Sequence, residues 1–168
     1  SVSILIVLSV LLVDALWIRY PIRSDLTTIH SLEAMWHEAQ VSLKEDCGVL
    51  NFPMTGFPEG SSIREMINYD PLLPYIAANE GTSFTYGAMN TQIGAGWSPR
   101  LPSDPEALRD VASSAGLCAV LVDSFGLDWS DESYAAFTAA FGSPAGSALE
   151  RWFLFRTDAI ETQVEEAD

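Results

Sequence analysis

Two short apolar runs constrain this chain more than anything else in it: Gly48-Val49-Leu50-Asn51-Phe52, stopped by Pro53, and Cys118-Ala119-Val120-Leu121-Val122-Asp123. Both have the near-continuous Val/Leu character of strands covered on two faces. Trp152 to Arg156 reads as a closing strand, and Thr82 to Ala88 as another that passes into a Gly-rich loop ending near Trp97. Helical spacing falls between them. Ile29, Leu32, Met35, Trp36, Ala39 and Leu43 predict a helix from Asp25 or Thr27 to about Glu45. A second helix is expected after Ser61 or Ser62, carrying Ile63, Met66 and Ile67. It ends or kinks at Tyr69-Asp70-Pro71, where Asp70 can also cap a helix through Leu72, Leu73, Tyr75 and Ile76. Ser103-Asp104-Pro105-Glu106 begins a third that stops at Gly116, and a fourth runs from about Ser130 through Ala140, before a turn at Gly142-Ser143-Pro144. Such alternation predicts an α/β fold: a mostly parallel sheet of about four or five strands covered by helices, preceded by an apolar N-terminal segment.

That N-terminal segment, Val2 to Val13, is almost unbroken apolar sequence closed by Asp14 and followed by Trp17, Arg19 and Tyr20. It reads as the end of a transmembrane helix with an aromatic and cationic collar, or as a buried strand or core helix. No basic n-region precedes it, which argues against a signal peptide. The expected organisation is residues 1–20 as this segment, 21–160 as one α/β domain, and 161–168 as an acidic tail.

With 23 acidic and 8 basic side chains the net charge is −15. Nucleic acid is thereby disfavoured as a partner, because its phosphates need Lys and Arg to replace their counterions. The two cysteines, Cys47 and Cys118, each directly precede an apolar run. If those runs are parallel strands of one sheet, the sulfurs share an end and a disulfide is open to them; two small buried hydrophobes are the other reading. His30, Glu33 and His37 share a helix side, but Val41 stands where a second zinc-protease histidine belongs, so no metal site is expected.

Prolines, aromatics and carboxylates concentrate between Cys47 and Trp97. Ligands of open parallel sheets bind outside the carboxyl ends of the strands. On that edge Glu59, Tyr69, Asp70, Tyr86, Asn90, Trp97 and Asp123 are the candidate ligand-binding residues. Carboxylates accept sugar hydroxyls and aromatic rings cover the apolar face of a pyranose, so a carbohydrate is the expected ligand class. The rival reading makes the aromatics core and the carboxylates caps. No catalytic residue is identifiable and no cofactor is expected: the Gly-rich loop lacks phosphate-loop spacing, and no G-x-S-x-G elbow occurs.

Asn51-Phe52-Pro53 with Phe57-Pro58-Glu59, then Tyr69-Asp70 with Leu72 and Tyr75, then Tyr86-Gly87-Ala88 and Trp97 resemble the C-terminal extracytoplasmic region of bacterial polytopic membrane proteins of the GT-C glycosyltransferase superfamily or of sugar translocases. The resemblance covers most of the chain after residue 30. Phe84 and Thr85 stand where that family has Trp and Ser, and Asn90-Thr91 where it has Gly-Arg. Catalytic carboxylates of GT-C enzymes generally lie on a loop between early membrane spans. The resemblance therefore implies a non-catalytic accessory domain on the extracytoplasmic side of the cell membrane, tethered through the N-terminal segment and binding a glycan acceptor or a lipid-linked sugar donor. It also implies an oxidising setting in which Cys47 and Cys118 can bridge. A structural or protein-interaction domain without a ligand site is the alternative, and a carboxylate-based glycoside hydrolase a further one.

Overall fold

The computed structural model describes residues 26–43, 46, 48–55, 61–67, 69–78, 81–86 and 101–158. The apolar N-terminal segment and the acidic tail lie outside them. Among the described residues no helix is long and apolar enough to cross a membrane.

The first helix, α1 (residues 26–39), buries Leu32, Met35, Trp36 and Ala39 and half-buries Ile29. These are the positions that recur at helical spacing, and they leave His30 and Glu33 exposed, with His30 Nδ1 2.9 Å from Glu33 Oε2. The chain then enters β1 (Gly48–Phe52), α2 (Leu72–Ala77), β2 (Ser83–Phe84), α3 (Pro105–Ser114), β3 (Ala119–Asp123), a 3-10 turn (Ser124–Gly126), α4 (Asp131–Phe141), β4 (Gly146–Ala148) and β5 (Trp152–Arg156). Local signals set the helix ends as expected. The Asp104 carboxylate accepts from Ala107 N–H, with Pro105 opening α3, and the Ser130 hydroxyl accepts from Ser133 N–H. Gly116 and Gly142 follow α3 and α4 at φ +76 and +81, backbone that a side chain disfavours.

The sheet order is β2-β1-β3-β5-β4. β1 pairs in parallel with β2 and with β3, whereas β5 is antiparallel to both of its neighbours. The fold is thus α/β with a five-stranded mixed sheet, parallel at one end, and the expectation of a mostly parallel sheet is corrected at the other. The cause is β4, a strand that Gly146-Ser147-Ala148 does not announce. It runs in the direction of β3, and a tight turn folds β5 back between the two. Leu149 and Glu150 form that turn with φ of 54 and 51, and Arg151 N–H closes it on Ala148 C=O at 3.0 Å.

Helices cover both faces. Val49, Ala119, Leu121, Trp152 and Leu154 pack against α1 and Ala77 of α2. Leu50, Phe52, Val120, Val122 and Phe155 pack against Leu108 and Ala112 of α3 and Phe137, Ala140 and Phe141 of α4. The alternation places residues one apart on opposite layers, as the pleat requires. On the outer side of β1, Thr85 N–H donates to Val49 C=O at 3.0 Å, and the next donor, Asn51 N–H, is taken by the Thr85 hydroxyl at 3.1 Å.

A second correction concerns Ile63 to Ile67, expected to be helical. The segment forms an isolated bridge between Ile63 and Met66, with Arg64 at φ 52. Glu65 and Met66 N–H both donate to Phe125 C=O, at 3.0 and 3.2 Å, and Met66 is fully buried. Tertiary bonding and burial have overridden a weak helical pattern.

Cys118 is disulfide-bonded. The other cysteine of the sequence is Cys47, which lies outside the described residues. Cys118 N–H donates to Gly48 C=O at 3.0 Å, so the bond sits where β1 and β3 begin, at the end of the sheet opposite Asp123. Reduction is expected to lower the free energy of unfolding by about 2–4 kcal/mol, read from urea melts with and without a thiol. A separate constraint is Gly146, where an added Cβ would lie 2.9 Å from Met35 carbonyl oxygen and 3.0 Å from its Cγ. Gly146→Ala should therefore push α1 from β4 and cost about 1–3 kcal/mol in the same assay.

Candidate functional site

The carboxyl ends of β1 and β3 adjoin at the point where the strand order 2-1-3 reverses, the place where open α/β sheets bind ligands. Asp123 ends β3 there, as the sequence predicts, but it is not part of an open rim. It is only 6% exposed and Asp70 only 7%. Both carboxylates are engaged by Arg151, brought to the same end of the sheet by the β4–β5 turn. Arg151 Nε donates to Asp123 Oδ1 and Nη2 to Asp123 Oδ2, each at 2.7 Å, a two-pronged pairing. Nη2 also donates to Asp70 Oδ2.

Each carboxylate also takes a local backbone donor. Asp123 Oδ1 accepts from Phe125 N–H at 3.1 Å, and Asp70 Oδ2 from Ile67 N–H at 2.8 Å. Asp70 does not cap α2, whose N-cap Pro71 carries no side-chain hydrogen bond; it fastens the turn before that helix instead. The guanidinium carbon lies 4.3 Å from the Phe125 ring centroid and 4.1 Å from that of Trp152.

Burial pushes the Asp123 carboxyl above its ordinary value; the hydrogen bonds and charge of Arg151 and the Phe125 N–H offset part of the rise, and the Asp70 charge adds to it. For Arg151, burial disfavours the charged form, but the pairings with Asp123 and Asp70 together outweigh it and hold its pKa above the ordinary value.

Tyr69 and Tyr86 are also brought near one another. Burial raises the Tyr86 phenol, and the neighbouring Tyr69 raises it further, so the Tyr86 hydroxyl stays a neutral donor at physiological pH. Tyr69 is 53% exposed. Glu59, Asn90 and Trp97 lie outside the described residues. Among the described residues, no group of three or more His, Cys, Asp or Glu side chains is placed to hold a metal ion.

On the opposite layer of the same sheet end is an open cleft of about 370 Å³ between the start of α3 and the start of α4. Buried Phe52 and Phe137 with half-buried Leu127 supply its apolar wall; Ser103, Glu132 and Ser133 supply its polar groups. Asp128 also borders it, with a carboxylate paired to Arg64 at 3.1 Å and a carbonyl that accepts from the Ser133 hydroxyl at 2.9 Å. None of these cleft residues except Phe52 belongs to the stretch between Cys47 and Trp97. The signals available for them are the two helix starts, Ser103-Asp104-Pro105-Glu106 and Ser130, which fall at one sheet end in any α/β alternation. Arg151 is harder to single out. Its only mark is a basic residue directly before a buried strand in a chain with just 8 of them.

Removing Arg151 leaves two buried carboxylates uncompensated, which costs about 3–5 kcal/mol for an Arg151→Met variant at neutral pH. In the native protein the folded-state pKa of Asp123 lies above its unfolded value. The folded state therefore binds more protons between the two values, and this group's contribution to stability falls as pH rises through that window. Loss of the cation removes the terms that offset this rise and widens the window for Asp123. The difference in unfolding free energy between wild type and Arg151→Met should be smaller at about pH 5 than at about pH 7.5. Urea unfolding at both values reads it, and an equal deficit at each would contradict the assignment.

No family model matches the chain, and no curated protein or solved structure matches it either.

Proposed function

We propose that this domain is a non-catalytic, extracytoplasmic accessory module of a membrane glycosyltransferase-like protein, and that it binds a glycan acceptor in the cleft between α3 and α4. The observation that carries the reading is the division of labour at the carboxyl end of the sheet. Asp70 and Asp123 are committed to Arg151 and so do not form an acid–base pair with one carboxyl free to protonate a leaving group. The neighbouring cleft offers an aromatic wall and a rim of hydroxyls and carboxylates, at a volume in the ordinary range for small-ligand pockets. Rings cover the apolar face of a sugar, and the Glu132 carboxylate and the Ser103 hydroxyl suit its hydroxyl groups.

Charge favours an acceptor over a phosphorylated donor. Glu132 and Asp131 occupy the first turn of α4, Asp104 and Glu106 the start of α3, and the whole chain carries −15. The helix N-termini that would otherwise attract phosphate thus already face their own carboxylates. Membrane tethering draws on the apolar run Val2 to Val13, and the extracytoplasmic setting on the disulfide at Cys118 together with the resemblance of the Cys47 to Trp97 motifs.

A protein-interaction surface is the second reading, favoured by Ile67, Tyr69, Tyr75 and Ile76, large apolar side chains each more than half exposed. Calorimetric titration with uncharged cell-envelope oligosaccharides and with their pyrophosphate-bearing counterparts separates the readings. The uncharged glycans should bind, and Glu132→Ala or Ser103→Ala should weaken them by about tenfold each, the worth of one hydrogen bond to a charged or polar partner. Absence of binding to every glycan would leave the interaction surface as the standing function. Turnover of any glycoside would overturn the non-catalytic assignment.

A further inference from the structure

Beneath α2, on the layer opposite the glycan cleft, a cavity of about 10 Å³ lies between the strand ends and three prolines, Pro53, Pro71 and Pro74. Its polar lining comes from three adjacent strands: Asn51 of β1, Asp123 of β3 and Trp152 of β5. Residues 51, 121, 123 and 152 share this layer by the pleat, and the pairing of Asp123 with Trp152 brings the last two side by side. Asn51 is 4% exposed and Trp152 2%. Among the described residues Asn51 Oδ1 and Trp152 Nε1 have no hydrogen-bond partner, although each such group left unmet in the interior is costly.

We propose that this cavity is a binding site for one internal water molecule, which accepts from Trp152 Nε1–H and donates to Asn51 Oδ1 and the Asp123 carboxylate. The volume admits a single water and nothing larger. The hydrogen-bonding pattern selects among small occupants. An indole N–H needs an acceptor, which excludes ammonium and metal cations. An amide oxygen and a carboxylate need donors, which excludes halide and other anions, and the Asp123 charge repels these as well. Water alone supplies one acceptor and two donors, within the usual number of bonds for an internal water.

The site is closed on the α1 side by a fixed element, because Trp36 Nε1 donates to Pro74 C=O at 3.1 Å and holds α2 down over it. The water joins the three central strands where their backbone ladder ends. It also gives Asp123 a further donor besides Arg151 and Phe125 N–H, so the ion cluster and the sheet share one hydrogen-bonded network.

The test is a high-resolution crystal structure of the wild-type domain, with a nuclear Overhauser measurement in solution for a long-lived water beside the Trp152 indole proton. The expected result is one ordered water within hydrogen-bonding distance of Trp152 Nε1 and Asn51 Oδ1, giving a cross-peak to that proton. Trp152→Phe, which removes only the donor and keeps an aromatic ring, should abolish the cross-peak and empty or displace the density. A wild-type structure in which Trp152 Nε1 and Asn51 Oδ1 meet each other or another protein atom, without a water between them, overturns the proposal. So does a dry cavity. The wild-type measurements decide the matter even if the variant fails to fold.

Discussion

Arg151 is the group on which the carboxyl end of the sheet depends. Three chain segments that are distant in sequence converge there: the turn before α2 through Asp70, the end of β3 through Asp123, and the β4–β5 turn that carries the arginine itself. Burying three charges is expensive, and replacing such a cluster with apolar side chains is often neutral or stabilising. Its value is better sought in specification. A guanidinium between two rings with fixed hydrogen-bond directions permits one relative placement of those segments, whereas an apolar patch would tolerate several. The residues just before it, Leu149 and Glu150, both hold left-handed backbone, a conformation that costs side-chain-bearing residues of the order of 1 kcal/mol each and that the surrounding pairings must maintain.

The elements that form on local evidence were legible in the sequence. The α1 face was readable because Leu32, Met35, Trp36 and Ala39 repeat with the helical period and the chain has one sheet face to place them on. β1, β3 and β5 were readable as apolar runs between turn formers, and α3 and α4 from their caps. What escaped was set by partners remote in sequence. Gly146-Ser147-Ala148 has no strand propensity; it is a strand because it lies along β5 and under Met35. The direction of β5 follows from that hairpin and not from any property of Trp152 to Arg156. Ile63 to Ile67 was lost to helix because Phe125 offers its carbonyl there.

That Asp70 and Asp123 lie at one sheet end was legible in the sequence; what they are bonded to was not. The carboxyl ends of β1 and β3 are where the sheet rule puts a site, and Asp70 and Asp123 do meet there. A sequence without a marked cation partner makes two such carboxylates look like exposed chemistry. The structure gives them to Arg151 and lets the accessible polar groups come from the starts of α3 and α4 instead. The two sides of the sheet end therefore differ: one mixes an aromatic wall with hydroxyls, and the other hides its charges.

The Thr85 hydroxyl that accepts from Asn51 N–H bears on how far the sheet can grow. β2 contributes only two residues to the ladder, so among the described residues no strand pairs with the outer side of β1 beyond Val49, where the Asn51 N–H points. A side-chain oxygen satisfies that donor without presenting a further strand. It acts as a chain terminator for β-pairing, and the protection costs no extra residues: the threonine that leaves the sheet is the one that stops it.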